Sequence, residues 1–438
     1  MFVLAQSNRR YLGWLLALAT FLTMYTNSTR IHFISMEDYR GPDRGFEVTL
    51  TDLIFLAVFP LVASKRGVKW LPYNWFALLG YGLCCFISTL KAPVPIYAWF
   101  TFYKLVKLSL VYWVMANSFR AGLTIEHMAH AYLAIASVMT LLAVKQKYLF
   151  GMYRITGPFD HSNTIPMYVI LVMPVLYLWA SCHPRLPRWK SLWGIFAALG
   201  LMFAVLCTQS RAGLVLCGLS LMMVVALSNL RFPTRRVRLL SAAILTLAVL
   251  GGLKALGTII NRFETAPEES EMARTEFNIA ADLMAKDNFF GVGLNSFSYV
   301  LTAEERYHGH IVVMANEEQA GVAHHIYRLT AAEMGYPGLV FFLLVWGGFW
   351  LRPLWVGLRG QGLSATLLLG FPIGFQALYL IGFLEWAFRL TPVIYLYTIQ
   401  AGVASALADE VASGAPRLRK SLRSARSLAG KPSKTASP

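Results

Sequence analysis

The sequence predicts an all-α, polytopic integral membrane protein with about twelve transmembrane helices and one large loop on the outer side. Two observations carry that prediction: apolar windows that recur along the chain, and basic residues gathered on one side of them. The 438 residues are 57% hydrophobic and 14% charged, with a mean hydropathy of +0.53. That leaves too little polar surface for a water-soluble fold. Crossing the hydrocarbon core takes about 20 mostly apolar residues. Windows of that kind fall at 10–27, 48–64, 71–90, 95–117, 124–144, 163–181, 191–208, 211–229, 239–257, 333–351, 363–383 and 388–407. The 14% of aromatic residues suits the Trp and Tyr belts of membrane interfaces. The first window lacks a small-residue cleavage site and reads as an anchor rather than a removed signal peptide.

Orientation follows from charge. With the N-terminus inside, 22 of the 39 Lys and Arg fall on the inner side. They begin with Arg9 and Arg10, run through Lys65, Arg66 and Lys69, and end in the tail after Ala415. Only Glu126, Asp409 and Glu410 oppose them there, the asymmetry expected of cytoplasmic loops. Because this charge is spread over short loops, the net +17 does not point to nucleic acid as a partner. The five cysteines lie in or beside spans and suggest no disulfide framework. No fixed-period repeat is present. The chain divides into spans one to nine (1–256), an outer loop (257–332), spans ten to twelve (333–410) and a basic tail (411–438). The tail has a disordered composition suited to anionic inner-leaflet lipid.

Taken in order, the loop at 29–47 has mixed charge and little specific signal. Lys104 and Lys107 lie one turn apart inside the fourth span and share a face. Either they snorkel from a helix end, or they face an internal cavity and hold an anion or an acid such as Glu385. The outer segment 151–167 turns at Gly157-Pro158 and places Asp160, His161 and Asn163 at a helix N-terminus, where capping alone accounts for them. Spans seven and eight are joined only by Thr208 to Gly213, with Arg211 at the tip of the hairpin. A guanidinium there is either an interface anchor or a planar fork for phosphate or carboxylate.

The outer loop is acidic. Its stretch Glu269 to Lys286 carries Met272, Phe277, Ala280 and Met284 near helical spacing, so it reads as an amphipathic helix along the membrane surface, with Arg274 riding on it. The surrounding acids also allow Arg274 a purely structural salt bridge. Gly291-Val292-Gly293-Leu294-Asn295 follows as a turn; its two glycines do not make a nucleotide loop. Gly321 to Gly338 then holds His324, His325, Tyr327 and Glu333 where the polar segment meets an apolar run. Titratable groups at the mouth of a membrane helix point to function.

Two chemistries fit these residues. In one, His308, His310 and the histidine pair hold a metal, although neither H-E-x-x-H nor a cysteine ligand accompanies them. In the other, a histidine takes a hydroxyl proton while arginines balance phosphate charge in place of a metal. Glu333 lies too far along from His324 to pair with it on one helix. It caps, orients Tyr327 or holds an arginine from another segment.

Together, T-Q-S-R-A-G (208–213), F-G-V-G-L-N-S-F (290–297) after the Arg274 helix, and A-H-H-I-Y-R-L-T-A-A-E-M-G-Y-P-G (323–338) resemble the O-antigen ligase and polymerase superfamily of bacterial envelopes. The resemblance runs from about Gly157 to Trp350. The family's third motif reads His-Asn-x-Tyr and then Glu-x-Gly; His324, Tyr327, Glu333 and Gly335 match it, and His325 stands in place of the Asn.

This resemblance implies a GT-C-like, multi-pass glycosyltransferase of the bacterial inner membrane. It would need no cofactor or metal, and its active site would face the periplasm. The implied donor is a glycan on undecaprenyl pyrophosphate, and the acceptor is lipid A-core or, in a polymerase, another glycan. His324 is the implied general base of an inverting transfer. Arg211 and Arg274 are the implied pyrophosphate clamp, with Tyr327, Glu333, His325, Asn295, His161, Lys104 and Lys107 in support. A protein-glycosylating ligase and a lipid-linked glycan transporter are the remaining alternatives.

Overall fold

The computed structural model describes residues 9–264, 268–308 and 321–414. The helices among these are α1 (Arg9–Leu22), α2 (Leu50–Ala63), α3 (Trp75–Lys91), α4 (Pro95–Ala121), α5 (Ile125–Val144), α6 (Thr164–Cys182), α7 (Arg188–Thr208) and α8 (Arg211–Arg231). They continue with α9 (Arg235–Glu264), α10 (Glu268–Asp287), α11 (Phe297–Ala303), α12 (Glu305–His308), α13 (Ile326–Arg359), α14 (Gly362–Ile381) and α15 (Thr391–Ala412). By length and composition, eight of the described helices suit a membrane crossing: α5 through α8, the Arg235–Leu253 part of α9, and α13 through α15. These correspond to the last eight apolar windows. The other four windows are helical too. Three of them are apolar but shorter, ending with Trp75–Lys91, while α4 runs for 27 residues and carries Lys104 and Lys107.

The bundle is organised around two buried helices. Every residue of α6 is buried, as is α15 from Pro392 to Ala408. The apolar residues on all sides of α6 therefore face protein rather than lipid. A polar tie joins the two helices: Gln400 Nε2 donates to the Leu171 carbonyl (2.8 Å).

The two ends of the bundle differ. At one end, Lys69 (2.7 Å), Arg352 (2.5 Å) and Arg120 (3.5 Å) converge on Asp409. The Arg231 guanidinium donates to the Gly360, Gly357 and Leu358 carbonyls nearby in sequence to Arg352. All of these cations belong to segments read as inner from charge alone. The segments read as outer meet elsewhere, around the cavity described below.

Several expectations need correction. The short loop after α1 is not featureless: it forms an antiparallel hairpin of β1 (Ile31–Ser35) and β2 (Gly45–Val48), the only strands among the described residues. The tenth window begins earlier than expected, at Ile326, and the ninth helix runs from Arg235 to Glu264. The amphipathic helix is present as α10, but its buried face is Ala273, Phe277, Ala280, Ala281 and Met284, and Met272 is exposed. That face packs against α13 rather than only on a membrane surface. An ion pair between Arg328 and Asp282 (2.9 Å) adds to the contact. His310 and the basic tail from 415 lie outside the described residues.

Candidate active site

A break in α13 shapes the site. Pro337 has no N–H, so the Glu333 carbonyl loses its usual helical donor. Gly335 turns the chain with φ 70° and ψ −177°, a conformation open essentially to glycine alone. The loop at 289–293 fills the break. Val292 N–H donates to Ala332 O (2.9 Å), Gly293 N–H to Glu333 O (3.0 Å), and Tyr336 N–H turns to Phe289 O (3.1 Å). Ser88 Oγ also donates to the Glu333 carbonyl (2.8 Å). The buried carbonyls are thus satisfied across the break.

The approach is so close that a Cβ at Gly335 would lie 2.1 Å from the Phe289 carbonyl oxygen, and one at Gly291 2.3 Å from that of Glu333. F-G-V-G and E-M-G-Y-P-G are two halves of one joint. Gly335→Ala is expected to cost about 1–3 kcal/mol from backbone strain alone, seen as a lower melting temperature in detergent. Unchanged melting would contradict the joint.

The Glu333 side chain forms a buried ion pair with Arg389, their side chains 0% and 6% exposed. Its Oε1 also accepts from Phe297 N–H (3.4 Å). Of its three expected roles, holding an arginine from another segment is the one observed. Tyr327 is not its partner; the Tyr327 hydroxyl donates to the Tyr379 carbonyl (2.8 Å). Arg389, in the loop before α15, was missed in the sequence. The signal that could have found it is Glu333 itself, because a carboxylate beyond a helix mouth demands a cation.

The lysines of α4 do not reach Glu385. Lys104 pairs with Asp43 and donates to the Arg389 carbonyl (3.1 Å). Lys107 pairs with Asp52 (2.9 Å) and also donates to the Glu47 carbonyl. The reason is topological: the hairpin loop and the start of α2 lie against α4 and bring their own acids. Asn295, at φ 55°, ties the same loop down, its Nδ2 donating to the Asp43 and Tyr97 carbonyls (2.8 Å each). It braces the joint rather than facing a ligand.

Above this network lies a cavity of about 840 Å³. Its walls come from the β hairpin, the Asp160–Thr164 turn, Phe277 of α10, the segment Gly321–His324 and the loop from Trp386 to Pro392. Most of these walls belong to segments read as outer from the sequence, while Asn27, Thr164 and Arg389 to Pro392 fall in the end turns of windows read as spans. His324 and His161 both open onto it, and the Arg389 side chain lies at its border with the buried network. Its size is that of a ligand pocket.

His324 Nδ1 is buried and has no hydrogen-bond partner among the described residues. Burial, then the positive charge of Arg274, then His161 press the imidazole pKa down from 6.5 to about 4, partly offset by the Val322 backbone. His324 is therefore neutral at pH 7 with a free ring nitrogen. Because unfolding frees a more basic imidazole, His324 supports stability above pH 6.5, and that support is lost as pH falls towards 4.

His325 is the N-cap of α13, its Nδ1 accepting from Arg328 N–H (3.3 Å). Asn is a favoured capping residue, so His325 supplies an acceptor where the family pattern has Asn.

Capping does not account for the 160–163 cluster. Asn163 makes no side-chain cap. Instead its Nδ2 donates to Glu385 Oε1 (2.8 Å), and its Oδ1 accepts from Arg154 (3.0 Å). Asp160 accepts from Asn27 (2.7 Å). Glu385 Oε1 also meets the Arg274 guanidinium at 3.3 Å, and Arg154 Nε donates to the Thr208 carbonyl (3.0 Å). This chain of contacts links the turn that carries Arg211 to the helix that carries Arg274. Burial raises the Glu385 pKa, while Arg274 and Asn163 oppose that shift. Neither Arg211 nor Arg274 is among the cavity's described lining residues. Arg274 acts on His324 through its charge, and Arg211 is exposed at the start of α8. Among the described residues no three of His, Cys, Asp and Glu gather to hold a metal ion. His308 is described, but the His308-Gly-His310 arrangement extends outside those residues.

A helical membrane bundle with a cavity at one end, walled by loops and lined by histidines and arginines, defines a polytopic membrane protein whose site suits a polar, charged ligand. Residues 195–343 match the O-antigen ligase family, in agreement with the superfamily that the chain's motifs resemble. The match spans Arg211, Arg274 and the histidine segment. No curated protein matches the chain.

Proposed function

We propose that the chain is a metal-independent, inverting glycosyltransferase of the inner membrane. It transfers an O-antigen polysaccharide from undecaprenyl pyrophosphate to lipid A-core on the periplasmic side. The observation that carries this reading is His324: a neutral imidazole with an unpartnered Nδ1, opening onto the cavity and lying under the influence of Arg274. His324 takes the proton of an acceptor sugar hydroxyl as that oxygen attacks the anomeric carbon opposite the pyrophosphate. The anomeric C–O bond breaks, the configuration inverts, and undecaprenyl pyrophosphate leaves. Arg211 and Arg274 balance its charge.

A histidine with a pKa near 4 is a weak base. Burial is the larger cause of the depression and the Arg274 charge the next; a pyrophosphate at Arg274 offsets that second part, so donor binding raises the basicity of His324 when it is needed. Lys104 and Lys107, which would have suited a transporter's path, are both held by acids of the hairpin segment and α2.

The test is transfer in liposomes containing donor, lipid A-core and EDTA. Glycosylated lipid A-core supports the ligase. Lengthening of the donor glycan alone replaces the ligase by a polymerase. Loss of all activity on adding EDTA, restored by a divalent ion, overturns the metal-free mechanism.

A further inference from the structure

The β hairpin has two unlike faces. His32 and Ser35 of β1, with Arg30, Arg40 and Arg44 around them, line the cavity. The rest of the strand is apolar and uncovered: Ile31 is 61%, Phe33 70% and Ile34 51% exposed, and Met36 follows as a further exposed apolar residue. The register shifts between His32 and Ile34. A bulge there breaks strict alternation and adds Ile34 to the apolar side. So much uncovered apolar surface on a short element marks an interaction site.

The hairpin's position says what covers it. It does not stand above the bundle but lies along the outer part of α4. Phe46, opposite Ile34, packs edge-on against Phe100 (5.0 Å) and Tyr103 (5.4 Å). At 1.5 Å per residue, those rings lie roughly 7–12 Å inside the N-terminal end of α4. At its other end β2 runs through Val48 and Thr49 straight into α2, whose exposed Leu50, Leu53 and Leu56 form a surface suited to lipid. The apolar side of β1 is thus continuous with the membrane-facing surface of two helices.

We propose that this hairpin is an interfacial membrane element. Its apolar side (Ile31, Phe33, Ile34, Met36) sits at the boundary of headgroups and acyl chains in the leaflet on the cavity side, while its polar side walls the cavity. The occupant is the lipid of the bilayer the chain spans. Lipid burial of one face of an amphipathic segment stabilises it there in proportion to the apolar area covered. The cavity mouth is thereby held at headgroup depth. This inference does not depend on the catalytic reading.

The test uses the full chain in liposomes, with a nitrobenzoxadiazole label on Phe33→Cys and, as a water-facing control, on Arg40→Cys. The unsubstituted chain labelled in parallel gives the background from its native cysteines. Lipids brominated on the acyl chain near the carbonyl are expected to quench the label at 33 severalfold more than the label at 40, with a blue-shifted emission. Equal, weak quenching with water-like emission at both sites would overturn the proposal. So would a Phe33→Cys disulfide dimer that excludes bromolipid, because a second copy would then cover the face. Since Phe33 is exposed, its substitution leaves the folded bundle available for the measurement.

Discussion

Replacing His324 with alanine is expected to cut glycan transfer by about 10²–10⁴-fold, the usual contribution of a positioned general base. Its bonding explains why the loss should be catalytic rather than structural. The ring Nδ1 has no hydrogen-bond partner among the described residues, and a charged imidazole is disfavoured in place, so removing the ring breaks only its contact with the Val322 backbone. Melting in detergent should change little. The matching substitution at the cap, His325→Asn, should retain transfer, because Asn caps as well as His does at that position. Wild-type rates in His324→Ala would transfer the base role elsewhere, and a large drop in melting temperature would make His324 a structural residue.

The largest stability effect is expected at Arg389. Its guanidinium neutralises Glu333, fully buried in the joint between α13 and the glycine loop. Arg389→Ala leaves that carboxylate without its partner and should cost about 3–5 kcal/mol, as does breaking other buried pairs from one side. Asp43 is part of the same network and would add to the unfavourable charge. Glu333→Gln removes the charge while keeping the shape, so Arg389→Ala/Glu333→Gln should be more stable than Arg389→Ala alone. Thermal unfolding of the four forms gives the coupling directly. Additive losses would show that the pair does not act as a unit.

The bundle was legible in the sequence because membrane spans are written in long apolar windows and one-sided basic loops. The inner cations found around Asp409 and the Gly357–Gly360 carbonyls are ones that charge counting had already placed inside. The histidine segment was legible as well, since titratable groups beside an apolar run are costly unless used.

What escaped detection depended on contacts across long sequence separations. Nothing local marks Asp43 or Asp52 as partners for lysines on α4; only the fold of the hairpin brings them there. Arg389 fell unremarked at the start of the twelfth apolar window, and only the burial of Glu333 shows why it is there. Asn163 looked like a cap because it stands at a helix start, yet its side chain turns away to Glu385. The hairpin itself has mixed charge and short strands, too weak a period to stand out beside twelve apolar windows.

The central claim is that a neutral His324 of depressed pKa accepts the hydroxyl proton. Its most direct test is the pH dependence of kcat/KM for the donor, which reports the free enzyme, followed from pH 7.5 down to 5.5 in liposomes. With the imidazole at about 4 in the free enzyme, the rate should stay nearly flat across that range. A histidine of ordinary pKa near 6.5 would lose about tenfold by pH 5.5. A flat profile that disappears with His324→Ala is the predicted result. A tenfold fall by pH 5.5, or a profile unchanged by His324→Ala, would contradict the account.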